Sequence, residues 1–186
     1  MPRPGIDQEQ LITSIATVFA ERGYEGATMA ELSRATGLQK ASLYYHYPGG
    51  KDEMLGAVVR ASVNRLDTMV FSHLRTTNPP RERIARLLDG FDTYCDRGRA
   101  NCVLSVVAHG TSAAAFKPGI AAQFGAWLKI LAKTLEDSGM SAKRANRVAR
   151  ETLSTLYGSL IASRLLDDLK VYAQATKRLR KQLASR

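Results

Sequence analysis

Apolar residues recur at helical spacing along almost the whole chain. Leu11, Ile15 and Phe19 stand four residues apart, with Ile12, Ala16 and Val18 widening the stripe, which predicts a first helix from about Gln8 to Arg22. Asp7 with Gln10 resembles a capping box, and Gly23 is a natural stop. Thr28 and Glu31 open a second, short helix that ends at Gly37. A third short helix spans about Gln39 to Tyr45. Pro48-Gly49-Gly50 then breaks the chain before a long helix from about Lys51 to Leu74, whose Asp52 and Glu53 suit a helix N-terminus. Asn78-Pro79-Pro80 ends that helix. Further helices are expected at about Arg81–Arg97, Cys102–Ala108, Pro118–Ser138, Ser141–Leu166 and Asp168–Leu183. No alternating stretch bounded by hairpin turns calls for strands. The expected fold is all-α with about nine helices.

Two short helices joined by a glycine-containing turn describe a helix-turn-helix. Leu32, Ala35, Leu38 and Leu43 supply apolar positions that can pack both helices over the first. The polar and aromatic residues of the third helix are then left facing outward, offering donors and acceptors for base edges and phosphates. This divides the chain into an N-terminal helix-turn-helix domain, residues 1–50, and a helical domain, residues 51–186.

Charge changes this picture only in part. The net charge of +10 is what nucleic-acid binders often carry. Residues 1–60, however, hold six Lys/Arg and seven Asp/Glu, and residues 61–186 hold twenty-one and ten. The excess lies outside the segment assigned to DNA, so the local motif carries the argument.

That motif has a family likeness. The run from Phe19-Ala-Glu-Arg-Gly-Tyr through Leu43-Tyr-Tyr-His-Tyr to Lys51-Asp-Glu-Met-Leu resembles the N-terminal domain of TetR-family regulators over roughly residues 7–60. Pro48-Gly49-Gly50-Lys51 also resembles a multidrug-responsive repressor subgroup. The resemblance implies that Thr28 places its hydroxyl on a phosphate while capping its helix. It puts Gln39 and Tyr45 nearest base edges. Lys40, Ser42, Tyr44 and His46 would contact phosphates or support the reading helix, and Lys51 would approach the backbone from the next helix. Each has a plainer alternative: Tyr44 packed on the first helix, His46 buried and hydrogen-bonded, Lys40 and Lys51 merely solvated. Gln39 stands where many relatives have Ser or Thr, Ala41 where glycine is frequent, and Ala30 where a basic residue is common.

The resemblance further implies double-stranded DNA with a palindromic operator as partner, homodimerisation through the last two long helices, and a small-molecule effector that releases the DNA. The stripes of the helix around residues 145–166 offer Leu153, Leu156, Ser159, Leu160 and Ala162 as a dimer face, against the alternative of an internal core. An effector cavity would lie after residue 60, with Leu66, Phe91, Tyr94, Cys95, Val107, Phe124, Trp127 and Leu131 as candidates and Arg97 and His109 as polar anchors. An apolar or aromatic effector fits that set. The default role of these aromatics, and of Phe116, is core packing.

Other chemistry is scarce. Three histidines have no metal-site spacing, and no Gly-rich phosphate loop appears, so neither an enzyme nor a metal or other cofactor is expected. Two cysteines, the lack of a signal-like start and the lack of a long apolar run suggest a cytoplasmic protein. Alternatives are a thiol-redox-sensing regulator using Cys95 and Cys102, and a ligand-binding protein without DNA binding.

Overall fold

The computed structural model describes residues 7–100, 102–104 and 114–184. Among them are eight α-helices and two short 3-10 turns, with no strand. The helices are α1 (Gln8–Gly26), α2 (Met29–Thr36), α3 (Lys40–His46), α4 (Gly50–Met69), α5 (Pro80–Tyr94), α6 (Lys117–Asp137), α7 (Ala142–Leu165) and α8 (Leu169–Ala184). The helix expected at Cys102–Ala108 falls largely outside the described residues.

Two compact units divide the described residues: 7–64 with 102–104 and 114–118, and 65–100 with 119–184. The division falls within α4, a single helix shared by both. In the first unit Leu11, Ile15, Phe19, Leu32, Leu43, Met54, Leu55 and Val58 are buried, joining the apolar faces of α1 to α4. The capping chemistry follows the sequence. Asp7 Oδ1 accepts the N–H of Glu9 at 2.9 Å and of Gln10 at 3.4 Å. Gly23 interrupts α1 at φ 68°, and one more turn follows it to Gly26.

The second unit departs from expectation at two helix ends. Helix α4 stops at Met69 instead of Leu74, and residues Phe71–Arg75 tighten into a 3-10 turn. Two tertiary contacts explain this. Arg75 forks onto Asp67 at 2.7 and 2.8 Å, drawing the chain back, and Phe71 stacks on Trp127 with centroids 4.4 Å apart. Gly90 of α5 meets the end of α4 so closely that a Cβ there would lie 2.0 Å from the Met69 carbonyl oxygen. Helix α5 ends at Tyr94 instead of Arg97, because Asp96 and Arg97 take φ values of 45° and 51° ahead of Gly98.

Helices α7 and α8 form a hairpin across the short turn Leu166–Asp168. Ser163 Oγ donates to the Asp168 carbonyl at 2.9 Å, and Asp168 Oδ1 caps α8 by accepting the Lys170 N–H at 2.8 Å. Tyr172 ties α8 to α5: its hydroxyl donates to Asp92 Oδ1 at 2.6 Å, and Arg180 bonds Asp92 and Asp89, each at 2.7 Å.

Candidate nucleic-acid interface

The reading surface is built on a small scaffold. Thr28 Oγ1 accepts the Glu31 N–H at 3.2 Å, fixing the start of α2, and Gly37 turns the chain at φ 71°. The Ser33 hydroxyl donates to the Leu38 carbonyl, which holds that turn. Leu43 is the one fully buried residue of α3. A helix of seven residues anchored at one point presents its remaining faces outward. Gln39, Lys40, Tyr44 and Tyr45 are exposed, Tyr45 to 83% and Tyr44 to 46%. Ser42 and His46 are half-buried, and the His46 ring meets Tyr45 edge-on at 5.6 Å. Thr28 is also exposed. Thus Thr28, Gln39, Lys40, Tyr44 and Tyr45 all stand in solvent. Gln39 occupies the N-cap of α3 without spending its side chain on a capping bond, which leaves its amide available.

Lys51, expected at the DNA backbone or else merely solvated, has partners within the chain. Its ammonium donates to the Tyr24 carbonyl at 2.9 Å and lies 4.1 Å over the Tyr24 ring. The Tyr24 hydroxyl in turn donates to Asp52, and that bond to a carboxylate, with burial second, pushes the phenol up to about 12. Sequence reasoning missed this latch. Its signal is the pairing of Gly23-Tyr24 at the end of one helix with Lys51-Asp52 at the start of another, but the two segments are 28 residues apart. Nearby, Gly50 sits at φ 64°, and a side chain there would meet Tyr44 at 3.3 Å.

The residues proposed for an effector site are packed together. Leu66, Phe91, Cys95, Trp127 and Leu131 are buried; Tyr94 and Phe124 are half-buried. Phe124 lies 5.0 Å from Trp127 and 5.5 Å from Tyr157, and Tyr157 meets Phe91 edge-on at 5.4 Å. These distances are those of ordinary aromatic packing. Trp127 Nε1 donates to Asp67 Oδ1 at 2.7 Å, and the Arg75 fork, with this bond behind it, holds the Asp67 carboxyl below the usual carboxylate range. Arg97 is exposed. Val107 and His109 lie outside the described residues. A separate surface groove of about 310 Å³ is lined by Met69, His73, Arg86, Asp89, Gly90 and Thr93, none of them among the expected set.

Two readings of the sequence are revised by burial. Leu153, Leu156, Ser159 and Leu160 are buried within the single chain, and Ala162 is half-buried. The stripe read as a dimer face is therefore the chain's own core, because α7 turns that face inward. The large apolar residues that α7, its turn and α8 leave outside are Ile161, Leu165, Leu166 and Leu169, at 39%, 83%, 67% and 42% exposure. Cys95 is buried, and its thiol donates to the Tyr172 hydroxyl at 3.1 Å. Burial pushes that thiol up, which disfavours the reactive thiolate. Cys102 is buried as well. Among the described residues no cluster of His, Cys, Asp and Glu is arranged to hold a metal, and no helix is long and apolar enough to cross a membrane.

This arrangement, a short exposed helix held on a capped two-helix support, defines a DNA-binding transcription regulator of the helix-turn-helix class. Residues 11–58 match the family profile of bacterial regulatory proteins of the TetR family, and residues 80–178 match the C-terminal domain of LmrA/YxaF-like transcriptional regulators. The chain belongs to the TetR family of transcriptional regulators. It is 30% identical over 144 residues to the HTH-type transcriptional activator FasR of Mycolicibacterium smegmatis, covering 75% of this chain and 64% of that one. A TetR transcriptional regulator from Chloroflexus aurantiacus shares the fold, with a TM-score of 0.77 at 18% identity over 95% of this chain and 93% of the other. So does AibR, solved with isovaleryl coenzyme A and operator DNA, with a TM-score of 0.61 at 21% identity over 79% and 82%.

Proposed function

We propose that this chain is a ligand-responsive repressor that binds a palindromic operator as a homodimer and leaves it when a small molecule binds. The exposure of Gln39, Lys40, Tyr44 and Tyr45 on one short, singly anchored helix carries the reading. Gln39 and Tyr45 read base edges. Thr28, Lys40, Tyr44 and Lys51 set register on phosphates, with Ser42 and His46 supporting the helix. Lys51 exchanges its Tyr24 carbonyl partner for a phosphate oxygen when DNA is bound.

One such helix reads few base pairs, so two heads on a palindrome supply the affinity. The second copy covers the exposed apolar positions Ile161, Leu165, Leu166 and Leu169, which a lone chain leaves in water. The effector, apolar or aromatic, opens space among the packed rings around Phe91, Phe124 and Trp127. Helix α4 carries Lys51 in its first turn and Leu66 near its end, so one rod about 30 Å long links the two functions. Release requires that the effector bind better to the conformer whose heads no longer match the two half-sites. The AibR complex with an acyl coenzyme A and operator DNA shows that this fold accommodates both kinds of partner in that protein.

A gel shift with the DNA upstream of the chain's own gene tests the reading. Wild-type protein gives a discrete complex whose footprint has two-fold symmetry. Lys40→Gln and Tyr45→Ala weaken it about tenfold or more, the scale of one lost specific contact. A footprint on one undivided half-site, or unchanged affinity in both variants, sinks it. Deletion of the gene raises expression of the target if the chain represses; a fall makes it an activator, as FasR is described.

A further inference from the structure

The reading head adds nothing to the chain's net positive charge. Residues 142–184, the α7–α8 hairpin, contain ten Lys/Arg and three Asp/Glu, a net of +7 out of the total +10. Most of this charge lies away from the turn, spread from about 12 to about 32 Å along the helix axes. The helices run antiparallel from their short turn, and α8, sixteen residues long against twenty-four for α7, reaches back about as far as Arg150. This region exposes Arg144, Arg147 and Arg150 from α7 and Lys177, Arg178 and Lys181 from α8. Helix α8 has no acidic residue at all. Glu151 is the acid of this region, and it meets Arg147 at 3.7 Å with both side chains more than half exposed. Arg180, by contrast, is consumed by Asp89 and Asp92.

We infer that this region of the hairpin is a second, sequence-blind surface for the phosphate backbone of duplex DNA. The inference rests on the DNA-binding reading above. With Lys143, also exposed, seven cations on two neighbouring helices carry a self-repulsion that an anionic partner relieves. Guanidinium groups spaced three residues apart along α7 stack on one face and suit phosphate oxygens bidentately. The residues between them, Ala142, Asn146, Ala173 and Gln174, are small or polar. Insertion into a lipid surface uses large apolar side chains beside the cations. Those of the hairpin lie towards its turn, Leu169 about 12 Å from Lys177 and Leu165 about 32 Å from Arg144 along the helix axes. Of the head's cations only Lys40 and Lys51 are placed at phosphates, so counterion release there is small, and this surface supplies the non-specific attraction that holds the protein on DNA while the head searches.

The full-length protein is titrated with a short duplex of scrambled sequence between roughly 50 and 200 mM salt. Arg144, Arg150, Lys177 and Lys181 are changed together to Gln. A control of equal charge changes Arg81, Arg99, Lys129 and Lys133 to Gln. The hairpin variant is expected to flatten the log–log salt slope by about 2–4 and to lose at least about tenfold in affinity at the low-salt end, while the control shifts the slope by less than about 1. Equal effects in both, or none in the hairpin variant, overturn the inference. Binding of wild-type protein to anionic phospholipid vesicles as tightly as to duplex, lost in the same variant, also overturns it in favour of a lipid surface. Lys40→Gln with Tyr45→Ala separates the two readings. If that pair abolishes operator preference while the hairpin variant leaves duplex binding intact, the head reading stands and this one falls. If only the hairpin variant matters, the head reading falls and this one stands.

Discussion

In the N-terminal unit the tyrosines of the reading helix stand in water, Tyr45 at 83% exposure, and a single leucine holds that helix down. In the C-terminal unit Tyr172 and Trp127 are buried, and each gives its polar hydrogen to a carboxylate, Asp92 and Asp67 respectively. The same residue types thus serve opposite ends. Where a helix is short and anchored at one point, aromatics are free to meet a partner. Where helices are long and layered, aromatics fill volume, and their polar tips must be satisfied inside. Function in the first unit depends on what is left uncovered, and stability in the second depends on aromatic tips that find partners inside.

The comparison breaks most visibly at Trp127. Trp127→Ala removes the stack on Phe71 and leaves Asp67 without its indole donor, and should cost about 3–5 kcal/mol by chemical denaturation. Tyr45→Ala, an aromatic loss of similar kind in the other unit, should change stability by less than about 0.5 kcal/mol. A comparable destabilisation at both sites would erase the contrast.

Asp67→Asn comes next. It trades a charged acceptor for a neutral one opposite Arg75 and Trp127, and about 1.5–3 kcal/mol should be lost. The pH dependence has a definite sign. The folded carboxyl titrates below its unfolded value, so its contribution is complete above about pH 4 and fades as pH falls further through the depressed range. The wild-type chain should therefore lose stability more steeply than Asp67→Asn in acid denaturation below that point. Parallel curves would remove Asp67 from the account.

The smallest effect lies at Thr28. Thr28→Ala deletes the cap of α2 and should lower stability by about 1 kcal/mol in a thermal melt, while Thr28→Ser restores it. If duplex affinity falls in Thr28→Ala by more than the stability change explains, the hydroxyl also touches the backbone.

Much of the first unit was legible because its signals are local. The Asp7 and Thr28 caps, the helix end at Gly37 and the apolar anchors Leu32 and Leu43 lie within a few residues of what they control, and the structure keeps them, while Ala35, read with them as a packing position, is exposed and Leu38 half-buried. The latch of Tyr24, Lys51 and Asp52 was not legible, since its halves meet only after α1 and α4 are placed side by side. In the second unit α6, α7 and α8 were found within a residue or so of their bounds, yet the ends of α4 and α5 were overrun. Helical periodicity continues through Phe71–Leu74 and into Asp96–Arg97. It is the Asp67–Arg75 fork and the left-handed residues before Gly98 that stop it.

The sequence by itself determined that this chain is helical, that a helix-turn-helix lies between Thr28 and His46, and that positive charge collects elsewhere. Each of these follows from spacing, capping and composition, which act between near neighbours. Only the tertiary structure decided which side of α7 faces in, burying Leu153, Leu156 and Leu160 and exposing Ile161 and Leu165. A helix apolar on several faces has no preferred inside until other helices are packed against it, and that choice is made by the total area buried across the chain.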